Sequence, residues 1–158
     1  MKDALEIIRK TRAGFIGMTK NLSIEQMNLV PEGFSNNIIW NFGHIIVVQQ
    51  GLCYGLAGLP QNVDKSLVDK FKKGSIPNMF ISADEFEQLK ALSVSLIDTF
   101  EQDIEKGIFP KNYHPFMTLL GVEIDNLEQA VTFNAYHEGV HYGYAMSLKR
   151  AVKLVGNE

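Results

Sequence analysis

Three histidines carry the chemistry this sequence can do. His137-Glu-Gly-Val-His141 places two imidazoles four residues apart. On an α-helix that is about 40° of rotation and about one turn of rise, so both rings can address one ion. Neutral imidazole nitrogens on a rigid support are half of a tetrahedral ligand set. Taken alone, the pair fits two core or surface histidines equally well, because H-x-x-x-H also arises by chance. His44 adds weight, since it lies in a stretch with no charged residue between Glu32 and Asp64. An unpartnered imidazole buried there is costly. A third ligand that leaves one coordination position open, as in catalytic zinc sites, meets the need for a partner. A hydrogen bond to an asparagine or a backbone carbonyl meets it as well, and spacing alone leaves both readings open.

Neighbouring residues sort by angle. At about 100° per residue, Asn134 and Tyr144 fall within about 40° of the midline between His137 and His141, and Asn41 falls about 60° from His44. They are candidates to orient a substrate or a ligand ring, with core filling as the plainer role. Glu138 is about 80° off that face, a poor ligand and a speculative acid or base. Cys53 lies half a turn around from His44 and is expected to point away, as neither nucleophile nor ligand. His114, in Asn112-Tyr-His-Pro115, reads as a turn residue. Glu138-Gly-Val-His141 also satisfies the Glu-x-x-His pattern of di-iron bundles, but that class needs a second motif and two further glutamates, which the sequence lacks.

Proline shows which elements hold these residues. Pro31, Pro60, Pro77, Pro110 and Pro115 cannot sit inside helices, and four long proline-free segments remain, each with apolar residues at helical spacing. The first helix is expected over about 1–21 and the second over about 36–59. Ser82-Ala-Asp-Glu85 is a capping box that opens a third, stopping at Gly107. Asp125 or Asn126 caps a fourth that runs to Gly156. Ser23-Ile-Glu-Gln26 resembles a short capping box, Lys65 to Lys73 suits a short helix, and no strand signal competes. The expected fold is an all-α four-helix bundle in a single domain over 1–158. Roughly 20 residues separate the second helix from the third and the third from the fourth, far beyond the usual helix hairpin, so at least one crossover joins parallel neighbours. Gly51, Gly55 and Gly58 share a helix face and are expected to serve close packing; Gly43, Gly139 and Gly143 flank histidines and suit either packing or clearance.

Composition removes several classes of function. The 158 residues carry 15 Lys and Arg against 18 Asp and Glu, a net charge of −3, with no basic cluster for a nucleic-acid face. One cysteine rules out an intrachain disulfide and a CxxC motif, and it suits a reducing, cytoplasmic setting. The N-terminal residues show no export-signal pattern. Ile38 to Leu59 is long enough to cross a bilayer, but Asn41, His44, Gln49 and Gln50 favour a helix buried in a bundle, with no membrane partner.

With these residues in view, the chain resembles the DinB/YfiT-like superfamily of metalloenzymes. Asn37-Ile-Ile-Trp-Asn-Phe-Gly-His44-Ile is similar to its second-helix motif N-x-x-W-x-x-G-H-[IL]. His137-Glu-Gly-Val-His141-Tyr-Gly-Tyr-Ala-Met-Ser-Leu-Lys-Arg150 is similar to its fourth-helix motif H-x-x-x-H-x-G-Q-I-x-x-L-[RK]-R. The resemblance implies an up-down-down-up bundle with long crossovers, and His44, His137 and His141 as ligands of one divalent ion, commonly zinc or nickel. Three imidazoles also accept iron or copper. Tyr144-Ala145 stands where the family has Gln-Ile, so any polar role of that glutamine is altered. The expected function is that of a metal-dependent S-transferase or hydrolase. The ion would lower the pKa of a thiol or water, a low-molecular-weight thiol would be a plausible co-substrate, and homodimerisation would follow family habit. The alternative is a non-catalytic metal-binding helical module with a stress-related or partner-binding role.

Overall fold

Side chains cap the helices where the sequence places them. In the computed structural model, which describes residues 1–155 and side chains through Lys153, the Ser82 hydroxyl accepts the Glu85 N–H at 3.3 Å and the Glu85 carboxylate accepts the Ser82 N–H at 2.9 Å. This reciprocal box opens α5, Ala83–Glu105. A second box between Ser23 and Gln26 opens the short α2, Ile24–Asn28. Asn37 Oδ1 accepts the Trp40 N–H at 2.8 Å and starts α3, Ile38–Gln50. Asn126 Oδ1 accepts the Gln129 N–H at 3.0 Å at the start of α6, Leu127–Val155. The remaining helices are α1, Lys2–Thr19, and α4, Lys65–Phe71. Gly156, where the sequence ends the last helix, lies outside the described residues.

Two expectations need correction. The second long helix does not run as α-helix to Leu59. It passes at Gly51–Gly55 into a π-helical turn, in which the Leu56 N–H reaches the Gly51 carbonyl at 3.0 Å and the Leu59 N–H reaches Tyr54 at 2.9 Å. Leu52, Cys53 and Tyr54 are all buried in this wider turn. A strand pair is also present: β1, Phe116–Met117, pairs antiparallel with β2, Glu123–Ile124, closed by a turn at Gly121 with φ +75°. Two residues per strand are too few for an alternating pattern to register in the sequence.

The glycines differ too. A Cβ at Gly51 or Gly58 would meet nothing within 4 Å, so these do not mediate close packing. The close approach is at Gly43, where a Cβ would stand 2.5 Å from ring atoms of Phe71.

Cross-helix pairs give the directions. Arg12 meets Glu138, and Lys149 reaches the Met18 carbonyl, so α6 runs alongside α1 in the same sense. Arg9 meets Asp98 and Glu101, while Arg12 meets Ser93, so α5 runs opposite to α1. Phe42 packs on Phe86 and Tyr54 on Phe100, so α3 and α5 share a direction.

The core divides in two along the bundle. One apolar cluster holds Phe15, Met18, Ile39, Phe42, Leu89 and Leu148; the other holds Ile8, Cys53, Phe100, Val131 and Ala135. Between them along the chain come buried Arg12 on α1, Gln49 on α3 and Glu138 on α6, with buried Ser93 on α5 and Asn134 on α6 nearby. Every α3 residue except Val48 is buried, which accounts for the charge-free stretch. Among the described residues no helix is long and apolar enough to cross a membrane.

Candidate metal centre

The three histidines converge. His44 on α3 and His137 and His141 on α6 place one potential ligand nitrogen each within 4.8 Å of one another. Ring centroids lie 5.2 Å apart for His44 and His137, 4.6 Å for His44 and His141, and 4.5 Å for His137 and His141. The two α6 rings meet because four residues make about one turn. The third faces them because α3 crosses α6 running the other way, with Trp40 beside His141 and His44 beside His137.

Two of the rings are fixed in orientation. His44 Nδ1 lies 2.7 Å from the Phe71 carbonyl oxygen; a carbonyl only accepts, so Nδ1 carries the proton and Nε2 keeps its lone pair. The His44 ring also stacks on the Trp40 indole, centroids 4.6 Å apart and planes 13° from parallel. His141 Nδ1 lies 2.8 Å from Asn41 Oδ1. The amide orientation of Asn41 is set because its Nδ2 donates to Asn36 Oδ1 at 2.7 Å and to the Asn37 carbonyl at 2.8 Å. The oxygen is left for the imidazole, so His141 also offers Nε2. Such hydrogen bonds from the far ring nitrogen orient metal-ligating histidines.

Burial sets the charge state. Desolvation pushes the His137 pKa down to about 3, with further lowering from His141 and His44, and pushes His141 down to about 4. His44 is lowered by burial, partly opposed by its bond to the Phe71 carbonyl. All three are neutral at neutral pH, the form a metal requires.

The donor set fits a divalent ion. His137 Nδ1 is sealed from solvent without a hydrogen-bond partner, a cost that a cation accepting that lone pair would offset. Nitrogens about 2.0–2.1 Å from a tetrahedral ion stand about 3.3 Å apart, so small side-chain adjustments close the set. His44 is buried, whereas His137 and His141 are partly exposed, so solvent reaches the cluster at the two α6 rings.

The remaining sequence candidates divide. Asn41 joins the cluster through His141. Asn134 does not: its Nδ2 donates to Glu138 Oε1 at 2.9 Å, and it lies as close in angle to Glu138 as to the histidine midline. Tyr144 is 37% exposed and sets its ring against the edge of Phe34. Cys53 is fully buried in the second apolar cluster, and burial pushes its thiol pKa up. His114 is exposed in the loop between α5 and β1.

Two partners were not singled out from the sequence. One is the Phe71 carbonyl. The other is Arg12, 2% exposed, whose Nη2 and Nε donate to Glu138 Oε1 at 2.7 Å and Oε2 at 3.1 Å, while Nη1 donates to the Ser93 carbonyl at 2.9 Å. Glu138 is thus committed to an internal ion pair. A signal for this existed: Arg12 is four residues past Ile8 and three before Phe15, on the apolar face of α1.

A helical bundle with a cluster of three histidines at facing helices defines a class of candidate metal-binding proteins. The DinB superfamily profile matches residues 7–145, and the chain belongs to that superfamily. A crystal structure described as the conserved protein of locus from Enterococcus faecalis shares the fold, with a TM-score of 0.71 at 13% identity over 96% of this chain and 95% of that one. No curated protein matches the chain.

Proposed function

We propose that the chain is a metal-dependent enzyme of S-transferase or hydrolase type, holding one divalent ion through His44, His137 and His141. Zinc or nickel is the preferred ion, and iron or copper fits the same donors. The observation that carries this reading is the set of three neutral imidazoles with ligand nitrogens within 4.8 Å of one another. A divalent ion bound there supplies a Lewis acid that lowers the pKa of a coordinated thiol or water.

The chain's own residues set the rest. Asn41 and the Phe71 carbonyl hold the rings of His141 and His44, and Trp40 fixes the plane of His44. Glu138 is engaged by Arg12 and Cys53 is sealed in the core, so neither serves as base or nucleophile. This favours an external nucleophile, a low-molecular-weight thiol ahead of water. The same commitment of Glu138 supports the second reading, a metal-binding module without catalysis. The single buried thiol suits the cytoplasm. Exposed apolar side chains on the β1–β2 hairpin, with Leu119 87% exposed, suit a homodimer interface.

Metal content tests the proposal. One divalent ion per purified chain, lost on His44→Ala/His137→Ala, supports the site, and thiol-transfer by the loaded protein supports the enzyme. An ion without reactivity across thiol-transfer and hydrolysis panels leaves the binding module. No ion in either protein refutes both. Sedimentation at the monomer mass of 17.8 kDa rejects the dimer.

A further inference from the structure

We propose that Phe71 is the positioning residue of His44, acting through its main-chain carbonyl, and that Gly43 is glycine because the Phe71 ring occupies the space of a side chain there.

The end of α4 grips three successive contact positions on α3. The Phe71 ring, 2% exposed, lies against Gly43, where a Cβ would stand 2.5 Å from Cγ and Cδ1 and 2.7 Å from Cδ2. The Phe71 carbonyl, at the C-terminal end of its helix where carbonyls lack helical partners, takes the His44 Nδ1–H at 2.7 Å. Four residues on, Ser75 Oγ accepts the Trp40 indole N–H at 2.9 Å, and that indole stacks on His44. One short segment thereby sets the proton position of His44 through Phe71 and its ring plane through Trp40. The seat depends on close approach of the Phe71 ring to the α3 backbone, which any side chain at position 43 prevents. A methyl group so close to the aromatic carbons must displace the ring, and the carbonyl moves with it.

The consequence for metal affinity rests on the proposed metal site; the consequence for the histidine tautomer does not. The test is Gly43→Ala, alone and combined with Phe71→Ala, which removes the overlapping atoms from Cγ outward and keeps the carbonyl. Long-range proton–nitrogen spectra of the metal-free protein, with His44 assigned by its loss in His44→Gln, read the tautomer. Zinc affinity comes from competition with a chromophoric chelator.

Wild-type His44 is expected to carry its proton on Nδ1. Gly43→Ala is expected to lose that preference, leave His141 unchanged, and weaken zinc binding about 10–100-fold, the usual cost of losing such a partner. The double variant is expected to recover both. If Gly43→Ala alone does not fold, recovery of folding in the double variant reads the same overlap. A wild-type His44 protonated on Nε2 overturns the proposal. So does Gly43→Ala with unchanged tautomer and zinc affinity, or a double variant that recovers nothing. A wild type that binds no zinc refutes the metal site instead, and the tautomer comparison still decides the role of Phe71.

Discussion

Replacing Glu138 by leucine strands the Arg12 guanidinium in the interior of the bundle. The two side chains are 2% and 0% exposed, and their pairing is completed by the Ser93 carbonyl and Asn134. Removing one member of a buried ion pair costs about 3–5 kcal/mol, because the remaining charge has no solvent. For a chain of 158 residues, each kcal/mol lowers Tm by about 2–4 °C, so the expected shift is roughly 6–20 °C. Arg12→Met alone should fall in a similar range. The double variant Arg12→Met/Glu138→Leu removes both charges and should recover most of the loss, as buried pairs replaced by apolar groups often do. Circular dichroism melts and urea titrations of the metal-free proteins, set out as a double-mutant cycle, give the coupling directly. A shift below about 2 °C for Glu138→Leu, or strict additivity in the double variant, would refute the account. Metal stoichiometry reads the register: an unchanged ion in the double variant means that packing alone holds the height of α6, and a lost ion means that the pair is needed for it.

Acidification should weaken the metal-free protein within a definite window. His137 and His141 titrate near 3 and 4 in the folded chain and near 6.5 when unfolded, so the native state binds fewer protons between these values and stability drops as pH falls below 6.5. By pH 5 the loss is about 2 kcal/mol per histidine, and equal urea midpoints at pH 7.5 and pH 5 would exclude it. Asn41→Leu removes the acceptor that orients His141 and should weaken zinc binding about 10–100-fold in a chelator competition; unchanged affinity would show that the contact does not matter. Ser82→Ala removes one half of the α5 capping box and should cost about 1 kcal/mol, or about 2–4 °C in a thermal melt, with metal content unaffected.

The helices were readable because their signals are local. Prolines, the Ser82–Glu85 box and the Asn126 cap act within four residues of themselves, and the His137/His141 pair needs only one helical turn. His44 was readable because a polar group in an uncharged stretch demands a partner. The partners themselves were not, since they come from distant segments: Phe71 contributes a main-chain atom that has no residue type, and Arg12 meets Glu138 across 126 positions of sequence. Arg12 did interrupt an apolar stripe, which is a clue to burial but not to its counterion. The π-helical turn escaped because Gly51, Cys53 and Gly55 fit an α-helix equally well, and the one-residue widening has no residue-type signature.

The ionic layer between the two apolar clusters also acts as an axial index for the bundle. Leucines and phenylalanines tolerate sliding, because an apolar side chain displaced by one turn finds another apolar surface. Arg12 and Glu138 do not: a slip of about 5.4 Å between α1 and α6 separates them and leaves two charges facing hydrocarbon. Glu138 sits on α6 directly after His137 and three residues before His141, so locking the height of that carboxylate against α1 also locks the height of both imidazoles. A salt bridge that touches none of the three histidines thereby sets where along the bundle two of them stand.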